Sequence, residues 1–148
     1  MSNPETSIVI RAFNEQRYLP GLLRAIDNQT YRDFETLVVD SGSHDGTPDI
    51  AIKHGARLIR IDSRDFTFGF SLNVGIGSSL GRYIVIVSAH TEPIDTSWLA
   101  SLVQPFNNDE VAMVYGRQLG AKSPNFSETQ DLKRPFGDTS LTLRPPHF

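Results

Sequence analysis

Residues 35–47 read ETLVVDSGSHDGT, and their order decides the fold. An apolar, β-branched run ends in an acid, Asp40, and then breaks into Ser, Gly and Asp. The chain continues as TPDIAIKHG, a short helix with Thr47 as its cap, Pro48 at its first position and Gly55 as its stop. A strand without polar alternation that runs into a helix is the repeating unit of a parallel sheet covered on both faces.

The same alternation extends in both directions. SIVIRAF (7–13) reads as a strand. YLPGLLRAIDNQ (18–29) carries Leu19, Leu22, Leu23 and Ile26 at the spacing of one helical face, with Asn14 beginning the turn into it. ARLIRI (56–61) is a third strand, and GFSLNVGIGSSLG (69–81) is a helix weakened by Gly75 and Gly77. RYIVIV (82–87) is a fourth strand, DTSWLASLVQPF (95–106) a helix with Trp98, Leu99, Leu102 and Val103 on one face, and VAMVYG (111–116) a fifth strand. The expected fold class is α/β, a Rossmann-like, mostly parallel sheet with helices on both faces. From about Leu119 the periodicity fails, so residues 1–118 read as the core and 119–148 as an irregular tail.

At 148 residues the chain is long enough for one domain with a real core, and its 39% apolar content excludes a disordered chain. The net charge is −3 and the 14 Lys and Arg are scattered, so a nucleic-acid surface is not indicated. There is no cysteine, hence no disulfide framework and no thiolate metal site, which fits a reducing compartment. No stretch approaches the roughly 20 apolar residues of a membrane span.

In doubly wound sheets the ligand crevice lies beyond the carboxyl ends of the strands. That rule selects three places: after Phe13, at Asp40, and after Val87 in YIVIVSAHTEP (83–93). A carboxylate at the Asp40 strand tip only accepts hydrogen bonds, which suits the imide N–H of uracil or thymine. Phe13 is placed to stack on a base or to join the core, and Glu15 to face a ribose hydroxyl or to support the first helical turn. Asp45 and Thr47 sit at a helix start and read equally as residues of the site or as turn and cap residues. Asn73, beside Gly75 and Gly77, marks either a close backbone approach to a ligand or close helix packing. SRDFTFGF (63–70) is either core or a lid. His44, His54 and His147 read as surface or turn residues; His90 differs because it follows a buried strand.

Taken together, SIVIRAFNE, QTYRDFETLVVDSGSHDGT, SLNVGIGSSLGRYIVIVSAH and WLASLVQPF resemble family 2 glycosyltransferases of the GT-A fold, over roughly residues 7–117. The DFTFG, SAH and YGRQ combination resembles the rhamnosyltransferase-like branch. The resemblance implies a nucleotide-diphosphate sugar as donor and transfer with inversion to a hydroxyl of an acceptor glycan or lipid-linked sugar, in polysaccharide or glycoconjugate synthesis. It implies a cytoplasmic protein, peripheral to the inner face of the membrane where the acceptor is lipid-linked. It places the nucleoside at Ala12 to Glu15, with Phe13 stacking on the base, Asp40 reading it and Asn73 near the ribose and diphosphate. Ser88-Ala89-His90 falls where the family carries Asp-x-Asp, the motif that binds Mn²⁺ or Mg²⁺ against the diphosphate. Both acids are replaced here, so His90 is either a single metal ligand or a direct hydrogen-bond donor to the diphosphate, with Ser88 beside it. The family's catalytic base falls beyond Phe148, and nothing aligns Glu128 or Asp131 with it. The expectation is an incomplete domain that holds the donor and exposes apolar surface for self-association. The alternative is a nucleotide-sugar-binding module without turnover.

Overall fold

The computed structural model describes residues 3–117. The expected tail 119–148, with Glu128, Asp131 and His147, lies outside the described residues. Residues 1–108 form one compact unit and Asp109 begins the next.

Four strands alternate with helices: β1 (Thr6–Ala12), α1 (Leu19–Asp27), β2 (Phe34–Asp40), α2 (Thr47–Lys53), β3 (Arg57–Arg60), α3 (Phe68–Ser78), β4 (Tyr83–Ser88) and α4 (Trp98–Val103). The strands are hydrogen-bonded in the order β3-β2-β1-β4, and every pairing is parallel. Strand order therefore reverses at β1, which has β2 on one side and β4 on the other. The register sets Ala12 beside Asp40 and Arg11 beside Ser88, so β2, β1 and β4 end level. Val111–Gly116, expected as a fifth strand, forms neither strand nor helix. Its apolar residues suit a strand, but a strand also needs a neighbour's backbone, and a residue pattern names no neighbour.

The core lies on one face of the sheet. Ile8, Ile10 and Ala12 of β1, Val38 of β2 and Val87 of β4 pack there against Leu19, Leu22, Leu23 and Ile26 of α1 and Leu99 and Val103 of α4. The four apolar positions of α1 are all buried, as its spacing required. Pro20 is tolerated because it stands in the first turn, where its missing N–H would have no intrahelical partner. Gln29 locks α1 to α4. It is 2% exposed, its Nε2 donates to the carbonyls of Ala25 (3.0 Å) and Asp95 (2.9 Å), and its Oε1 accepts from Leu99 N–H (2.9 Å). A buried amide with its contacts met in this way fixes one arrangement of the two helices.

α3 covers the opposite face through Gly75. A Cβ there would stand 2.4 Å from Val9 Cγ1 and 3.1 Å from Val39 Cγ2, so only glycine lets this helix lie directly on the sheet. Helix α2 begins at Thr47 and carries Pro48 in its first turn, with Gly46 rather than Thr47 in the capping position. Thr47 is free to serve another segment, as described below.

The amino-terminal end of the sheet is tied by Glu35. Its carboxylate accepts from Ser7 Oγ (2.7 Å), Leu80 N–H (2.7 Å) and Arg57 Nη2 (3.0 Å), and Arg57 also donates to the Ser78 carbonyl. Burial alone would raise the Glu35 carboxyl; the hydrogen bonds from Ser7 and Leu80 and the Arg57 charge outweigh it and hold the group below its ordinary value of 4.5. A carboxyl whose pKa is lower in the folded state adds stability above its unfolded value and loses it as pH falls through the folded one. Stability should therefore decline below about pH 4.5, and Glu35→Gln should flatten that acid limb while lowering stability at neutral pH. Urea unfolding across this range checks both; an unchanged acid limb in the variant would remove Glu35 as its source.

Candidate active site

The site is assembled from the loops that follow β1, β2 and β4. After Ala12 the chain turns through Asn14, which adopts φ 55°, in the left-handed region that asparagine tolerates better than most residues. This loop is stitched to the one after β2 by a reciprocal set of hydrogen bonds. Asn14 N–H donates to Ser43 Oγ (2.8 Å) and Asn14 Oδ1 accepts from His44 N–H (2.9 Å). Glu15 N–H donates to Thr47 Oγ1 (2.8 Å), Gln16 N–H to Asp45 Oδ2 (3.1 Å), and Gln16 Oε1 accepts from Gly46 N–H (2.8 Å). The polar residues of SGSHDGT thus serve the backbone of another loop. Asn14 belongs to this stitching, and α1 begins later, at Leu19. Burial pushes the Asp45 carboxyl up, but hydrogen bonds from the Thr47 hydroxyl and from the Thr47 and Gln16 amides hold it below the usual carboxylate range.

Asp40 sits at the centre of this frame and is 1% exposed. Its Oδ2 accepts from Gly42 N–H (3.3 Å) and Ser43 N–H (3.1 Å). Its Oδ1 is buried with no partner. Such an oxygen is costly unless a donor reaches it, and native structures contain few. Ala12, paired with Asp40, is buried in the core, and Phe13 next to it is 51% exposed.

The end of β4 brings a second group together. His90 Nδ1 lies 3.3 Å from Glu15 Oε1, and Ser88 Oγ lies 3.2 Å from His90 Nε2 and 3.4 Å from its Nδ1. Glu15 is mostly enclosed, whereas the imidazole stands out into solvent. Of the expected residues, Ala12, Phe13, Glu15, Asp40, Ser88 and His90 therefore share the carboxyl end of the sheet. Among the described residues, no side-chain hydrogen bond draws Asn73 in. Ser71 and Gly75 are the buried positions of α3, and Asn73 lies exposed on the turn between them.

Arg11 is the residue the sequence reading passed over. It stands beside Ser88 in the β1–β4 register, and the phase that turns Val9 toward α3 turns Arg11 to the same face. Its guanidinium carbon lies 4.7 Å from the centroid of the Phe68 ring, and its Nε is buried without a partner. No ion pair neutralises it among the described residues. Phe68 itself is 69% exposed and touches the Phe66 ring edge-on, so the DFTFG segment forms a cover over Arg11 instead of joining the core.

Among the described residues no group of three or more His, Asp or Glu side chains could hold a metal ion. The one carboxylate at His90 is already bonded to it, and the β1 residue paired with the neighbouring Ser88 is the cationic Arg11. This donor set does not fit a resident divalent cation.

A parallel sheet whose order reverses at β1, with an acid at the switch point and aromatic and cationic groups around it, defines a Rossmann-like α/β domain with its crevice at the carboxyl end of the sheet. The family model for glycosyl transferase family 2 matches residues 7–147, and the chain belongs to that family. The chain is 31% identical over 121 residues to the O-antigen chain rhamnosyltransferase RfbN of Salmonella typhimurium, covering 80% of this chain and 38% of that protein. It is 32% identical over 131 residues to a PGL/p-HBAD biosynthesis glycosyltransferase of Mycobacterium bovis, covering 85% of this chain and 51% of that one. Thus the chain spans roughly two fifths to one half of the length of these relatives. Among solved structures it is similar to the mannosyltransferase PcManGT of Pyrobaculum calidifontis in complex with GDP-Man and Mn²⁺, with a TM-score of 0.66 and 24% identity over 75% of this chain and 34% of that one. It is also similar to S. aureus TarS 1–349, with a TM-score of 0.64 and 22% identity over 79% of this chain and 38% of that one. These neighbours establish the GT-A fold. No helix among the described residues is long and apolar enough to cross a membrane.

Proposed function

We propose that this chain is the donor-binding part of an inverting glycosyltransferase that moves a sugar from a UDP- or dTDP-sugar, rhamnose first among them, to a hydroxyl of an acceptor glycan or lipid-linked sugar. The observation that carries the reading is Asp40: a 1% exposed carboxylate at the topological switch point with one oxygen, Oδ1, left without a donor. The imide N–H of uracil or thymine supplies that donor, and Phe13 is exposed beside it to stack on the base. These residues orient the donor and break no bond.

In the proposed reaction an acceptor hydroxyl attacks the anomeric carbon while a carboxylate general base takes its proton, and the nucleoside diphosphate leaves with the electron pair of the broken bond. The base is not assigned to any described residue. Negative charge on the leaving diphosphate falls toward the end of β4, where Ser88 and His90 stand, so that interactions there favour the transition state. A divalent cation would stabilise the same charge in a member of this fold that holds one. Two relatives are named for the O-antigen chain and for PGL/p-HBAD biosynthesis, which favours an acceptor in polysaccharide or glycoconjugate synthesis.

A thermal-shift screen of UDP-, dTDP- and GDP-sugars tests the reading. A UDP- or dTDP-sugar at a hundred times its dissociation constant should stabilise the fold by about 2.7 kcal/mol. A preference for GDP-sugars would overturn the base assignment. Binding with no release of free nucleotide in the presence of acceptor would favour the second reading, a donor-binding module without turnover, which the loss of both acids at residues 88–90 also supports.

A further inference from the structure

We infer that this chain holds its nucleoside diphosphate through His90 and Arg11 directly, with Glu15 as the residue that positions His90, and that this binding needs no divalent cation. The inference rests on the reading of the site as a nucleotide-diphosphate site and deepens it.

Three observations carry it. The first is the pair of Glu15 and His90, 75 residues apart in sequence and 3.3 Å apart in space. Glu15 has a mostly enclosed side chain and sits in the loop after β1, which is fixed by the Glu15 N–H to Thr47 hydrogen bond, so it is the firm member of the pair. His90 is the exposed member, with 61% of its side chain in solvent. A carboxylate that accepts from Nδ1–H leaves the Nε2 edge, beside the Ser88 hydroxyl, for a ligand. In the doubly protonated ring, Nδ1–H is given to Glu15 and Nε2–H is given to a phosphate oxygen, with the Ser88 hydroxyl as a neighbouring donor.

The second observation is Arg11. It lies beside Ser88 on the adjacent strand and carries a positive charge that no carboxylate among the described residues neutralises. Its Nε is buried and unpartnered, and the guanidinium is held under the exposed Phe68 ring. A guanidinium matches a phosphate in geometry and charge. It also raises the potential at the strand end, which attracts an anion and disfavours a divalent cation there. The third observation is the donor set: one imidazole and one carboxylate already bonded to each other, which leaves a cation too few ligands.

The task of Glu15 is then different from contacting a ribose hydroxyl. It is a positioning residue whose effect reaches the ligand through His90.

The test is calorimetric titration of the full chain with UMP and UDP, in EDTA and again with Mn²⁺. In EDTA, UDP should bind at least about tenfold more tightly than UMP, the difference a charge-assisted contact gives. Added Mn²⁺ should change the UDP affinity by less than about twofold. His90→Ala should remove most of the difference between UDP and UMP, leaving the part that Arg11 supplies, and Glu15→Gln should lose a smaller part by releasing the ring. Arg11→Met should lower UDP affinity more than UMP affinity. A merely structural Glu15 would weaken both nucleotides alike, and that outcome would overturn its positioning role. If UDP exceeds UMP only with Mn²⁺, and His90→Ala abolishes the Mn²⁺ response, His90 is a metal ligand and the inference fails while the nucleotide reading stands. If neither nucleotide binds, the nucleotide reading fails and takes the inference with it.

Discussion

Replacing Asp40 by alanine is expected to weaken pyrimidine nucleotide binding by about 1–3 kcal/mol, roughly 5- to 150-fold, as read by calorimetry with UDP and dTDP. The buried side chain uses Oδ2 on the Gly42 and Ser43 amides and leaves Oδ1 free. A ligand imide N–H that reaches Oδ1 gains a charge-assisted hydrogen bond and removes a penalty the free protein carries. Asp40→Asn sharpens the test, because it keeps the shape. If its NH₂ takes the Oδ1 position, a donor faces the imide donor. If the amide flips, its NH₂ faces the two backbone N–H groups instead. Either way the isosteric variant should lose nearly as much affinity as alanine. Stability of the free protein should move less than affinity does, since the alanine variant loses two hydrogen bonds but also a buried charge left half-satisfied. Unchanged affinity in both variants would remove Asp40 from the site.

The reason Asp40 was legible in the sequence, and the pairing around His90 was not, is physical. Asp40 ends an apolar run whose length and composition already specify a buried strand, so its address follows from the strand alone. β1, β2 and β4 were read for the same reason, and α1 because Leu19, Leu22, Leu23 and Ile26 leave one choice of face. α3 was ambiguous because Phe68, Phe70, Leu72, Val74 and Ile76 surround it with apolar residues, and only the packing of Gly75 on Val9 selects its inner face. That choice leaves Asn73 exposed, which its apolar neighbours did not reveal. Ser43 carried no signal of its own, and Asp45 and Thr47 suited their own turn as well as a site. Their partners are the amides of Asn14, Gln16 and Glu15, donors that every residue but proline carries and that leave no mark in composition. Arg11 read as one polar residue in a strand, and its importance depends on which strand lies beside it. The Glu15–His90 pair depends on the β1–β4 adjacency, a fact of topology. VAMVYG shows the converse: a sequence can suit a strand and still lack the neighbour that makes one.

Gly81→Ala should cost about 3 kcal/mol of stability or more, although it adds one methyl group at a turn. Gly81 N–H donates to Ser7 Oγ at 2.8 Å, which holds the turn before β4 against the start of β1. A Cβ there would lie 2.6 Å from both Thr6 C and Ser7 N and 2.9 Å from Ser7 Oγ. The first two are backbone atoms, and they cannot rotate aside as a side chain would. Thr6 and Ser7 are fully buried, and β1 is paired along its length with β2 and for all but its last residue with β4, so moving β1 would break ladders on both sides. The turn must move instead, which pulls the Leu80 and Gly81 amides off Glu35 and Ser7 together. Gly77→Ala is the matched control. No atom outside its own helix lies within 4 Å of a Cβ at Gly77, so alanine there should be neutral or stabilise by up to about 1 kcal/mol through helix propensity. Urea unfolding of the two variants reads the difference directly. Similar midpoints would mean that α3 and the following turn do not approach β1 as described. The contrast also separates folding from binding, because β1 carries Arg11 and Ala12 at its other end. If Gly81→Ala acts by unfolding alone, the fraction that remains folded should bind UDP with the affinity of the unaltered chain.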